Sequence, residues 1–243
     1  MTVGLFIPCY IDQFYPQAAI ATLRLLQKLG LDVAYPLRQT CCGQPMANSG
    51  YSPLVQSCNE LFLTNFSGFD YVVSPSGSCV LHLKEHLHSE KNEPEATAMR
   101  GKIYELVEFL TDVLQVDRLT ASFPHKVSVH HSCHGLRGLH LSQMSELMAP
   151  GFSKPVRLLN MVSGLELVEL SRVDECCGFG GTFCVTEEAV SVKMGKDRVR
   201  DHENSGAQYI TSADLSCLMH LEGILRRNNS RLKVIHIAEI LNA

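Results

Sequence analysis

The stretch Cys176-Cys177-Gly178-Phe179-Gly180-Gly181-Thr182-Phe183-Cys184 opens with two neighbouring thiols and a glycine, a triplet that recurs in Cys41-Cys42-Gly43-Gln44-Pro45. Packing gives no reason for it, because a buried cysteine behaves as a small apolar residue and gains nothing from an adjacent twin. Four readings compete. A single tetrahedral zinc ion usually takes ligands about two to four residues apart, so that the backbone can curl around the metal. A cluster of several irons is less restrictive. Diverging side chains reach different irons, and glycine lets the backbone approach inorganic sulfide with no Cβ in the way. A vicinal disulfide and chance are the other two, and repetition of the triplet weighs towards the cluster.

Working outward, the chain reads as one unit used twice. Residues 3–8 are a short apolar run, a strand, that ends at Cys9. Pro16 opens a helix with Ala19, Ile20, Leu23 and Leu26 at helical spacing and Gly30 as its stop. Residues 31–35 form a second strand leading to the first triplet. Ser52-Pro53 predicts the cap and first turn of a helix whose inner face is Leu54, Val55, Cys58, Leu61 and Phe62. Residues 69–74 are a third strand, and Pro75-Ser76-Gly77-Ser78-Cys79 turns into a helix through His88. Residues 89–100, polar and carrying Pro94, are expected as an exposed loop; residues 103–114 read as a strand end and a helix.

The second half repeats this order. Residues 126–131 lead to Cys133, and residues 165–170 to the second triplet. Thr186, with Glu187 and Glu188 behind it, predicts the start of a long helix towards Gly206. Residues 207–211 match 69–74, Cys217-Leu218-Met219-His220 matches Cys79-Val80-Leu81-His82, and residues 233–241 resemble 102–110. Internal duplication is the simplest account. The expectation is an α/β fold of two tandem duplicated β-α-β-α-β-α repeats with parallel sheets, related by a pseudo-two-fold axis. Residues 1–115 would form the first repeat and 125–243 the second, joined by 116–124. Both cysteine sets then fall where strands end and helices begin, the edge at which open α/β sheets bind ligands.

A chain of 243 residues can bury a proper core without disulfides. Its ten cysteines point instead to metal or redox chemistry in a reducing cytosol, because secreted disulfide scaffolds are shorter and denser in cysteine. A net charge of −4 and the lack of a long Lys/Arg block argue against nucleic acid or an anionic membrane as partner. Residues 1–8 lack the basic opening of a signal peptide, and no apolar stretch approaches the ~20 residues that span a bilayer. A cytoplasmic protein without a membrane span is expected.

The first copy supplies Cys9, Cys41, Cys42 and Cys79; the second supplies Cys133, Cys176, Cys177 and Cys217. This pattern resembles the cysteine-rich CCG repeat found in heterodisulfide reductase and in the iron-sulfur subunit of glycolate oxidase. Nearly the whole chain resembles the two-repeat lactate utilisation A family in particular. The likeness is carried by Leu5-Phe6-Ile7-Pro8-Cys9, Phe14-Tyr15-Pro16, Gln39-Thr40-Cys41-Cys42-Gly43-Gln44-Pro45, Asn48-Ser49-Gly50-Tyr51, Cys133-His134 and the stretch from Cys176 to Phe183. It implies an iron-sulfur electron-transfer subunit, with those eight cysteines holding one or two [4Fe-4S] clusters. The implied partners are a ferredoxin-like iron-sulfur subunit and a third subunit, and the implied reaction is oxidation of L-lactate to pyruvate. One departure stands out. The full repeat ends in C-x-x-C, five thiolates that hold a non-cubane cluster in the heterodisulfide reductase relatives, but here Ser76 and Asp214 occupy the first of those positions. Four thiolates per repeat suit an ordinary four-iron cluster. The rivals are a zinc-stabilised, non-redox scaffold for partner subunits and a thiol-disulfide enzyme, although vicinal thiols lack Cys-X-X-Cys spacing.

The remaining residues have plainer readings. Cys58 is expected in the core and Cys184 as a non-ligand. Gly178-Phe179-Gly180-Gly181 is a poor dinucleotide fingerprint. His130, His131 and His134 flank Cys133, and His82 and His220 follow the last cysteine of each set; donation to cluster sulfur and ordinary polar packing compete for them. Lys193, Lys196, Arg198 and Arg200 are expected on a solvated helix face.

Overall fold

The computed structural model describes every residue except 149. The first half contains β1 (Thr2–Leu5), α1 (Cys9–Phe14), α2 (Pro16–Lys28), β2 (Asp32–Ala34), α3 (Gln44–Asn48), α4 (Ser52–Phe66), β3 (Tyr71–Ser74), α5 (Gly77–His86), α6 (Glu93–Arg100), β4 (Ile103–Glu105) and α7 (Leu106–Glu108), which runs into a π turn. The second contains β5 (Lys126–Val129), a π turn (His134–Gly138), α8 (Lys154–Leu159), β6 (Glu166–Leu167), α9 (Phe183–Thr186), α10 (Glu188–Asn204), β7 (Tyr209–Ser212), α11 (Leu215–Arg227), β8 (Lys233–His236) and α12 (Ile237–Asn242). Each half folds into a four-stranded sheet, ordered β2-β1-β3-β4 and β6-β5-β7-β8, with every described pairing parallel. The registers agree as well: Val3 lies opposite Tyr71, and Val127 opposite Tyr209. The expected duplicated α/β architecture is therefore what the chain adopts. Val3, Leu5, Val72, Val73, Val127 and Ile210 are buried, as parallel strands covered by helical crossovers require.

Local expectations fail at several points. Ser52 is the first residue of α4 rather than its cap; Tyr51 holds the N-cap position and makes no side-chain cap hydrogen bond. Residues 89–100 contain α6: Asn92 accepts a hydrogen bond from the Glu95 N–H at 3.3 Å, and Pro94 sits in the first turn, where its missing donor costs nothing. Ala96 and Met99 then bury its inner face. Thr186 closes the short α9, and the long helix begins at Glu188. On α4 the buried face is Val55, Asn59, Phe62, Leu63 and Phe66; Leu54 is exposed, and Cys58 is half-buried rather than in the core.

The halves share one hydrophobic core, with α12 against α2 and α1 against α11. Between them, Ser76 and Asp214 form an antiparallel bridge, and the Gly77 N–H donates to the Ala213 carbonyl at 3.2 Å. The fully buried Asp214 carboxylate accepts from the Ser216 N–H at 3.2 Å and the Ser216 hydroxyl at 2.7 Å. Across the joint it accepts from the Ser78 N–H at 2.8 Å and the Ser78 hydroxyl at 3.3 Å. One anion thus serves the first turns of both α11 and α5, where helix termini present unpaired N–H groups. The two positions that would carry a fifth thiolate in the full repeat form the seam of the molecule.

β8 ends at His236, which is buried and whose Nδ1 accepts from the Ala238 N–H at 3.2 Å. Burial holds this imidazole down at about 4, outweighing the carbonyls of Pro75 and Ala213 that favour its charged form. The unfolded chain therefore binds a proton that the folded chain refuses, between about pH 6.5 and about pH 4. Stability should fall as the pH drops through that window, by about 1.4 kcal/mol per pH unit from this group, and the contribution should level off below it. His236→Asn keeps the cap and removes the proton. Urea midpoints followed against pH should show a shallower acid slope for the variant; parallel slopes would contradict the assignment.

Candidate metal centre

Every cysteine of the two sets lies just beyond the C-terminal end of a strand. Cys9 opens α1 after β1, Cys41 and Cys42 lie on the loop after β2, and Cys79 sits in the first turn of α5 after β3. Cys133 precedes the π turn after β5, Cys176 and Cys177 follow β6, and Cys217 sits in the first turn of α11 after β7. In each sheet the first strand is flanked by the second and third, so the crossovers diverge there and open a crevice. The two crevices meet. All eight cysteines line one cleft of about 360 Å³, together with Tyr10, His134, Phe179, Gly180 and Gly181. Cys42, Cys79, Cys177 and Cys217 are buried, and Cys9, Cys41, Cys133 and Cys176 are half-buried.

The glycine of each triplet has a definite task. Gly43 and Gly178 both have φ of 88°, a left-handed conformation that costs other residues strain. It turns the backbone N–H back on the pair: Gly43 donates to Cys41 Sγ at 3.4 Å, Gly178 to Cys176 Sγ at 3.4 Å, and Phe179 to Cys177 Sγ at 3.5 Å. A Cβ would also collide, lying 2.4 Å from Val55 Cγ1 at Gly43 and 2.7 Å from the Ser191 carbonyl oxygen at Gly178.

The thiols of each set are coupled. Cys9 and Cys41 approach to 3.8 Å between Sγ atoms. Donation from the Cys42 and Cys9 thiols, then from the Gly43 N–H, holds the Cys41 thiol down at about 2, while Cys9 and Cys42 are pushed up. The second set repeats this: Cys133, Cys177 and Gly178 hold Cys176 down at about 2, while Cys133 and Cys177 are pushed up. Four thiolates at this spacing require the positive charge of bound metal, and the donor set fits a thiolate-ligated cluster.

Residues outside the sets divide. Cys184 donates its S–H to the Gly181 carbonyl at 3.0 Å, and neither it nor Cys58 lines the cleft. His134 Nδ1 is 3.8 Å from Cys133 Sγ, and burial, ahead of the nearby His86, holds His82 down at about 4. A ring nitrogen of the buried His130 and the Sγ atoms of Cys177 and Cys217 lie within 4.8 Å of one another. Lys193, Lys196 and Arg200 are on the exposed face of α10, but Arg198 is fully buried, and its Nε donates to His130 Nδ1 at 3.2 Å. Its register with the buried Ser191, Gly195 and His202 was the signal available in the sequence.

Fold and site together define a two-repeat, cysteine-rich α/β protein. The family model of the CCG cysteine-rich domain matches residues 3–84 and 127–222, and the chain belongs to that family. Over its full length it is 41% identical, across 246 residues, to Lactate utilization protein A of Geobacillus thermodenitrificans (strain NG80-2), covering 99% of that relative. It is 38% identical, across 247 residues, to Lactate utilization protein A of Bacillus subtilis (strain 168), with both chains covered completely. The solved structure of a hypothetical protein from Helicobacter pylori shares the fold, with a TM-score of 0.56 at 13% identity, over 98% of this chain and 47% of that one. Among the described residues, no helix is long and apolar enough to cross a membrane.

Proposed function

We propose that this chain is the iron-sulfur electron-transfer subunit of a system that oxidises L-lactate to pyruvate in the cytoplasm. Cys9, Cys41, Cys42 and Cys79 would hold one [4Fe-4S] cluster, and Cys133, Cys176, Cys177 and Cys217 a second, on repeats spanning residues 1–115 and 125–243. A bound cluster supplies one-electron transfer. The chain's own contribution is to converge the thiolates, direct backbone N–H groups at their sulfurs and bury the inner cysteines away from water. The observation that carries this reading is the meeting of both four-thiol sets in one cleft at the ligand-binding edge of two matching sheets.

Removing a hydride equivalent from a hydroxy acid needs a flavin, a nicotinamide or an open metal position, and a cysteine-saturated cluster offers none of these. The proposed partners, a ferredoxin-like iron-sulfur subunit and a third subunit, would complete the path. The purified, cluster-loaded chain given L-lactate and an acceptor dye is expected to show no turnover until those subunits are added. Turnover by the chain alone, free of flavin, would place the catalytic site here instead.

A further inference from the structure

The two halves differ most sharply beneath the second cysteine set. In the first half, Phe6 meets Phe62 and Phe66 edge-on, with ring centroids 5.2 and 5.8 Å apart, and all three rings are buried. The matching registers place His130 where Phe6 stands: Phe6 donates its N–H to the Val73 carbonyl, and His130 donates its N–H to the Thr211 carbonyl. Arg198 and His202 approach His130 from α10 as Phe62 and Phe66 approach Phe6 from α4, with the same four-residue spacing. An apolar trio has become a polar one, and it remains buried.

Such a replacement is costly unless its polar groups are used. Most are. Arg198 donates to the Arg172 carbonyl and pairs with Asp201 at 3.0 Å, and the Ser128 hydroxyl lies 2.7 Å from His202 Nδ1. His130 Nε2, Arg198 Nη2 and His202 Nε2 are left without a partner among the described residues, and of these three residues His130 is the one with a ring nitrogen within 4.8 Å of both Cys177 Sγ and Cys217 Sγ. A ring nitrogen that accepts a hydrogen bond carries no hydrogen, so an imidazole held in this way keeps its one ring hydrogen on the other nitrogen. Because Nδ1 accepts from Arg198, that hydrogen belongs on Nε2, the free nitrogen.

Resting on the cluster reading above, we propose that His130, oriented by Arg198, donates its Nε2–H to the thiolate sulfurs of Cys177 and Cys217, a hydrogen bond that Phe6 denies the first site. Direct ligation through Nε2 would force the ring hydrogen onto Nδ1, against the Arg198 Nε–H already pointing there. His130 is therefore a positioning and tuning residue rather than a fifth ligand. Donation to cluster sulfur favours the reduced, more negative state and raises the reduction potential of the second site. The Asp214 carboxylate, which acts on Cys133 and Cys217 in the opposite sense, is common to wild type and variant and cancels from their comparison.

The test is an electron paramagnetic resonance redox titration of the reconstituted chain and two variants, after iron and sulfide have been counted. His130→Phe installs the residue of the first half. It should lower one reduction step by about tenfold in its reduced-to-oxidised ratio, about 59 mV for one electron, and leave the other in place. His130→Gln keeps both an acceptor for Arg198 and an N–H donor, and should restore most of the shift. An unmoved potential in His130→Phe, or loss of the second cluster with intact folding, overturns the proposal. Should His130→Phe fail to fold, nitrogen hyperfine coupling in the wild type decides. Weak coupling supports a donor; the strong coupling of a bonded nitrogen, or none, overturns it. A chain that takes up no iron ends the cluster reading and this proposal together, whereas full iron with an unmoved potential ends only this one.

Discussion

Cys177→Ala is expected to remove about four of the roughly eight irons that two four-iron clusters would hold, leaving the first site filled. The residue is buried, its sulfur accepts the Phe179 N–H, and it is coupled to Cys176 and to Cys217, so one substitution breaks the ligand set at its centre. Cys42→Ala should do the same to the first site, because Cys42 is coupled to Cys41 and Cys79 in the matching arrangement. The half-buried Cys58, which lines no part of the cleft, provides the control, and Cys58→Ala should keep full iron. Anaerobic reconstitution followed by iron analysis reads all three. Full iron in both triplet variants would show that the vicinal thiols are not ligands.

Asp214→Ala should produce the largest loss of stability, on the order of 3–5 kcal/mol, because a buried carboxylate that unites two helix termini disappears and leaves buried donors unpaired. Asp214→Asn retains an acceptor of the same shape and should cost less. Ser76→Ala, across the bridge, should change stability by no more than about 1 kcal/mol, because Ser76 makes no side-chain cap on α5. Chemical unfolding of the three variants reads the difference. Equal losses at both positions would mean that the seam is held by backbone pairing alone.

The strands and their parallel order were legible in the sequence because the apolar runs repeat in the same order in both halves, the first three of each leading to a cysteine. The glycine of each triplet was legible as a need for close backbone approach, and its left-handed conformation shows how that need is met. Pro94 misled because a proline in a polar segment reads as a breaker, whereas one following Asn92 by two residues is a helix opening. Arg198 misled for a different reason: a cluster of basic residues suggests solvent, and only the helical period with Ser191, Gly195 and His202 reveals the inward face. The duties of Ser76 and Asp214 lie beyond any local pattern. They depend on two loops, far apart in the chain, crossing where the halves meet.

The central claim is that both thiol sets hold iron-sulfur clusters. Its most direct measurement is the iron, acid-labile sulfide and zinc content of the chain purified and reconstituted without oxygen. The expected result is a brown protein with about eight irons and about eight sulfides per chain, the content of two cysteine-held four-iron clusters. A colourless protein with stoichiometric zinc and no sulfide would contradict it and leave the chain a zinc-held scaffold.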